Sequence, residues 1–186
     1  WPFADSCFDF ITTKQVLEHV RDHVFFFEQL RRCLRPGGVS VHLFPVREAI
    51  WEGHARMPIV HWLRDPWRRR ALHLFATLAF DHAYRGEQTR RKWNSKAEFA
   101  RQYSAVLEQH TNYISVVGLK RAARAAGLDI AFTFTKDYYL AKLLSYIEVR
   151  PQRYRDLGWV ESLLMLFLRH VASITVLLKR DAPGNE

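Results

Sequence analysis

The chain has 186 residues, enough for one domain with a real core, and 48% hydrophobic with 25% charged content is a globular balance rather than a disordered or fibrous one. No uncharged apolar run reaches the length of a membrane span and the first residues do not read as a signal peptide, so a cytoplasmic protein is expected. The net charge of +9 favours anionic partners, and Cys7 and Cys33, which lack CxxC or zinc-type spacing, read as reduced apolar residues.

Phe8 to Thr13 (FDFITT) is short, apolar and β-branched, the pattern of a buried strand. Next, Phe26, Leu30, Cys33 and Leu34 form a helical stripe, which predicts a helix over roughly 23–35. Arg31, Arg32 and Arg35 suit the negative end of its dipole, and Pro36, Gly37 and Gly38 stop it and supply a tight turn. Val39 to Phe44 reads as a second strand, made parallel to the first by the right-handed crossover. From Pro45 to about Tyr113 strand signals are absent and Trp, Arg and His are abundant. This stretch is too long for a plain connection, and residues 46–113 are expected to form a largely helical insertion over one end of the sheet.

Regular grammar then returns. Ser115 is an N-cap, Leu119, Ala122, Ala123 and Ala126 are a buried stripe, and Gly127 stands where a helix C-terminus needs glycine. LDIAFTFTK alternates as a strand, predicted near 129–135. WVESLLMLFLRHVA reads as a helix packed on the sheet. Peripheral membrane contact is its other reading, opposed by Glu161, Arg169 and His170. Residues 173–179 (SITVLLK) predict a last strand, antiparallel to its neighbour, and the tail DAPGNE is expected to be disordered.

This order defines an open α/β sheet, which binds ligands at the C-terminal ends of its strands, here Thr12 to Gln15 and Phe44 to Val46. WPFADSCFDFITTKQVLEHVRDHVFFFEQLRRCLRPGGVSVHLFP closely resembles the second half of class I S-adenosylmethionine-dependent methyltransferases. In that family an lPFpDnsFDlV stretch leads into the fourth strand, vLEHv.d follows, and l.R.LkPGG leads into the fifth. YISVVGLKRAARAAGLDI is similar to the family's last crossover helix, and the final strands to its antiparallel pair. The resemblance implies that residues 1–186 are the C-terminal part of one Rossmann-like methyltransferase domain. The Gly-rich loop and the acidic residue that holds the cofactor ribose are then expected before Trp1.

The resemblance further implies S-adenosylmethionine as cofactor and methyl transfer to a small-molecule acceptor. Thr13, Lys14 and Gln15 align with the loop that lines the methionine end of the cofactor, and Asp5 lies in the stretch that passes near the adenine. Glu18 and His19 match the family's EH pair, with His19 expected to order the loop by hydrogen bonds. No catalytic residue is assigned. Within the insertion, His54 and His61 stand seven apart, two turns along one face if helical, and are expected to contact the acceptor. Zinc binding by that pair is opposed by the missing third ligand, the spacing and Pro58. Arg68, Arg69 and Arg70, beside Trp62 and Trp67, read either as a phosphate or carboxylate binder or as a solvated helix face. An acceptor with an apolar body and an anionic handle, including a lipid-linked one, suits these residues. Two other classes stand beside the enzyme: a cofactor-free binding module of the same fold, and a basic nucleic-acid-binding protein. The second rests on charge alone, with no helix-turn-helix, finger or RNP pattern.

Overall fold

The computed structural model describes residues 1–91, 93–145 and 159–182. Strand β1 (Phe8–Lys14) leads through a 3-10 turn at Leu17–His19 into helix α1 (His23–Cys33) and then strand β2 (Leu34–Pro45), which is parallel to β1. The Asp22 carboxylate caps α1 by accepting from Phe25 N at 2.9 Å, and Phe26, Phe27, Leu30 and Cys33 form its buried face. The helix is shorter than the predicted 23–35, because Leu34 already pairs with Phe8. The next match is Phe10 with Val39, so the chain between bulges outward, with Gly37 at φ 78°. Pro36, Gly37 and Gly38 therefore form a bulge inside β2 rather than a turn between helix and strand. Arg35 sits on this bulge, paired with Asp9 at 2.5 Å.

Helix α5 (Val116–Ala125) packs against α1, its N-terminus capped by Ser115 and its end turned by Gly127 at φ 64°. Strand β6 (Ser173–Lys179) lies antiparallel between β2 and β5 (Asp129–Ala131), giving the order β1-β2-β6-β5. Leu17, Phe27, Leu30, Phe44, Leu119 and Ile174 are fully buried between sheet and helices. The fold is thus the expected α/β arrangement, with a parallel pair and antiparallel last strands.

The strand expected over 129–135 is only three residues long. Beyond it, Thr135 is buried; its hydroxyl donates to Thr175 O and accepts from Thr175 N, both at 3.1 Å, and it opens helix α6 (Thr135–Ser145), which the periodicity did not reveal. Helix α7 (Trp159–Leu168) packs chiefly on α6 rather than on the sheet; Met165 reaches the core while Trp159, Leu163 and Phe167 are exposed. Of the predicted disordered tail, residues 183–186 lie outside the described residues. No described helix is long and apolar enough to cross a membrane.

Between β2 and α5 the chain is mostly helical, as expected, with helices α2 (Trp67–Leu78), α3 (His82–Arg91) and α4 (Lys96–His110). They close a second core of Met57, Val60, Leu72, Phe99 and Leu107. A small hairpin of β3 (Trp51–Glu52) and β4 (Met57–Pro58) precedes them, followed by a 3-10 turn at Val60–Trp62; no strand pattern marks the hairpin in the sequence. This segment is tied to the C-terminal ends of the parallel strands. Arg47 N donates to Ile114 O at 2.9 Å, Asn112 N donates to Glu18 O at 2.6 Å, and the Asn112 side chain donates to Val20 O and Arg21 O.

Candidate functional site

At the end of β1 the chain turns sharply: Gln15 has φ 55° and its N–H donates to Leu43 O at 2.8 Å. This leaves Lys14 and Gln15 exposed, with the Gln15 amide 3.4 Å from Ser173 Oγ. Thr13 points inward, its Oγ1 2.7 Å from His42 Nδ1. His42 is fully buried on β2, its other nitrogen 3.0 Å from Ser40 Oγ, and burial pushes its pKa down to about 4. Asp5 lies beyond the opposite end of β1, a strand that itself spans roughly 20 Å. There it pairs with Arg32 at 2.5 Å. The structure therefore gathers Thr13, Lys14 and Gln15 and holds Asp5 apart from them.

The turn after β1 buries Glu18 completely, and among the described residues neither of its carboxylate oxygens has a hydrogen-bond partner. Burial raises its pKa. His19 Nδ1 is 2.6 Å from His110 O. A carbonyl only accepts, so this nitrogen carries the proton. His54 lies in the turn between β3 and β4, with Nδ1 2.8 Å from Glu52 Oε1. Tyr113 donates to that same oxygen at 2.6 Å, and Ala55 N donates to the other. Burial alone would raise Glu52, but the bonds from His54, Tyr113 and Ala55 outweigh it and hold its carboxyl below the usual range. As an ionised acceptor it fixes the proton of His54 on Nδ1 and raises the His54 pKa. Burial, with the Glu52 charge added, raises the Tyr113 phenol. The rings of His19 and His54 meet edge to face at 5.2 Å, and one ligand-capable atom from each of Glu18, His19 and His54 lies within 4.8 Å of the others.

His61 approaches Tyr113 as well, with ring centroids 4.9 Å apart. Both its nitrogens are buried and unpartnered among the described residues, and burial lowers its pKa. His54 and His61 thus converge on Tyr113 from a hairpin turn and a 3-10 turn, not from one helix face. Beside His61 opens a cleft of about 520 Å³ lined by Arg47, Trp62, Arg64, Arg68 and Ser115 among others. The Arg68–Arg70 run divides. Arg68 is buried and donates to Leu63 O and Ser104 O, Arg69 pairs with Asp65 at 3.0 Å, and Arg70 stacks over Trp67 at 4.7 Å. The sequence did not single out Glu52 or Tyr113. The available signal was Glu52 standing two residues before His54.

A family described as a methyltransferase domain matches residues 1–131, from the N-terminal loop through β5, and the chain belongs to that family. Similar solved structures include an S-adenosylmethionine dependent methyltransferase from Mesorhizobium loti, at 15% identity over 96% of this chain and 64% of that one, with a TM-score of 0.45. A SAM-dependent methyltransferase from Methanosarcina mazei is 11% identical over 98% of this chain and 64% of that one, with a TM-score of 0.44. The phosphoethanolamine N-methyltransferase 2 of Haemonchus contortus, solved in complex with S-adenosyl-L-methionine, is 13% identical over 99% of this chain and 35% of that one, with a TM-score of 0.40. The chain spans less than two thirds of the length of each of these structures. No curated protein matches it.

Proposed function

We propose that the protein transfers a methyl group from S-adenosylmethionine to a small acceptor that carries an anionic handle. The observation behind this reading is the methyltransferase-domain match over residues 1–131, which takes in the C-terminal ends of both parallel strands. Lys14 and Gln15, exposed at the end of β1, suit the charged methionyl end of the cofactor, the ammonium of Lys14 meeting its carboxylate. Asp5, paired with Arg32 at the far end of the strand, is not used in this reading.

The cofactor supplies an electrophilic methyl and a neutral thioether leaving group. An acceptor lone pair forms the new bond as the carbon–sulfur bond breaks, and an acceptor that carries a proton releases it. The protein's share is alignment and exclusion of water. The segment over 46–113 serves as the wall and lid of the acceptor site. Arg47 and Arg64 face the handle and Trp62 the apolar body, and His61, kept neutral by burial, can accept a hydrogen bond or proton from the nucleophile.

The test is calorimetric titration with S-adenosylhomocysteine beside methyl-transfer rates from S-adenosylmethionine across carboxylate- and phosphate-bearing acceptors. Lys14→Ala and Gln15→Ala should weaken S-adenosylhomocysteine binding. His54→Ala and His61→Ala should lower turnover and leave that binding within about twofold. The titrations use protein that carries the expected Gly-rich half ahead of Trp1; absence of binding by that protein refutes the enzyme reading, and loss of cofactor affinity in the histidine variants refutes the lid assignment.

A further inference from the structure

We propose that Glu18, His19 and His54 form a divalent-cation site beside the end of β1. Two parts of the chain, the 3-10 turn after β1 and the turn of the β3–β4 hairpin, bring one carboxylate and two imidazoles together, with a ligand atom of each within 4.8 Å of the others. The carboxylate is the sharpest indicator. Glu18 is fully buried, and among the described residues no other residue donates to either of its oxygens, which leaves only its own backbone N–H to act on them. A buried carboxyl without a partner is destabilising in either protonation state, and a cation supplies what the protein does not.

The imidazoles are prepared in the same sense. His19 gives its Nδ1 proton to His110 O, and His54 gives its Nδ1 proton to Glu52. Each therefore keeps the lone pair of Nε2 free for a metal, with its ring oriented by an acceptor behind it. That is the usual outer-shell device of metal-bound histidine, a carbonyl in one case and a carboxylate in the other. Tyr113 and the N–H of Ala55 fix Glu52 in turn. A set of two imidazoles and one carboxylate fits zinc or another first-row transition ion better than magnesium or calcium, which prefer oxygen alone. Three protein ligands leave a coordination position open.

The site does not rest on the methyl-transfer reading, because its readout is the metal itself. Protein freed of metal with a chelator is titrated with zinc chloride by calorimetry, and with cobalt(II), whose visible absorption reports tetrahedral nitrogen and oxygen ligation. The parent should bind one equivalent. Glu18→Gln and His54→Ala should each weaken zinc binding by at least tenfold. Glu52→Gln, a positioning change, should weaken it by about 10- to 100-fold. Glu18→Gln also separates ligation from folding. Since Glu18 has no bond to another residue to lose, the metal-free variant should melt no lower than the metal-free parent, while zinc should raise the melting temperature of the parent alone. The site is refuted if the metal-free parent takes up no zinc, if Glu18→Gln and His54→Ala bind zinc as the parent does, or if magnesium binds more tightly than zinc.

Discussion

His42 allows a quantitative test of how the sheet is held together. It stands in the middle of β2 with no exposed surface, between the hydroxyls of Thr13 and Ser40, and burial alone lowers its pKa to about 4. In the unfolded chain a histidine titrates near 6.5. Between those values the unfolded chain binds a proton that the folded chain refuses, so stability rises with pH. The contribution is fully present above the unfolded pKa and is lost as pH falls from about 6.5 toward about 4. At about 1.4 kcal/mol per tenfold change, the full loss is roughly 3 kcal/mol, of which roughly 2 kcal/mol has gone by about pH 5. The assay is urea unfolding of the parent and of His42→Gln at pH 8 and pH 5. Glutamine keeps a hydrogen-bonding group and removes the titration. Other carboxylates and histidines act in both proteins and cancel in the difference. The parent should lose about 2 kcal/mol more than the variant over that interval. Equal losses would show that His42 is protonated without penalty in the folded state, and the account of the β1–β2 interface would fail.

Leu30→Ala on α1 removes a fully buried side chain from between sheet and α5; a loss of about 2–5 kcal/mol with an unchanged urea m-value is expected. Gly38→Ala places a Cβ 2.8 Å from the Arg35 carbonyl inside the β2 bulge, and a thermal melt should show a loss of about 1–3 kcal/mol.

Much of the sheet was legible because local signals agreed with the final packing. The Ser115 cap, the Gly127 stop and the spacing of Leu119, Ala122 and Ala123 all point to one helix, and all three are realised. LDIAFTFTK misled because alternation reports a pattern but not a partner. β6 pairs with only Asp129, Ile130 and Ala131 of that run, and past them the Thr135 side chain takes over the bonding to Thr175. α6 then begins where the pattern still reads as strand. Pro36, Gly37 and Gly38 read as the stop of the helix, but Leu34 pairs with Phe8 first, so the helix ends at Cys33 and the three residues become a bulge inside β2; that pairing joins distant residues and has no local signal.

The candidate site was legible as residue types and not as partners. His54 and His61 were singled out on a helical spacing that the β3–β4 hairpin replaces. What makes them chemically distinctive is Tyr113, which hydrogen-bonds to one and packs at a tilt against the ring of the other from far along the chain. Likewise the resemblance marked Glu18 and His19 as a pair. The isolation of the Glu18 carboxylate and its proximity to His54 exist only after the two turns meet.

The 2.9 Å bond from Arg47 N to Ile114 O means that the polypeptide leaves β2 and returns to the head of α5 at nearly one point. Closing an excursion at such a junction has an entropic cost that grows only slowly with its length. The junction is therefore a place of exchange. A longer or shorter excursion with its own small core can be spliced there while the register of β1, β2 and β6 stays the same. Asn112 limits the freedom, because its bonds to Glu18, Val20 and Arg21 hold the returning chain against the turn after β1. A transplanted segment that keeps Asn112 inherits the orientation of the excursion against the turn after β1.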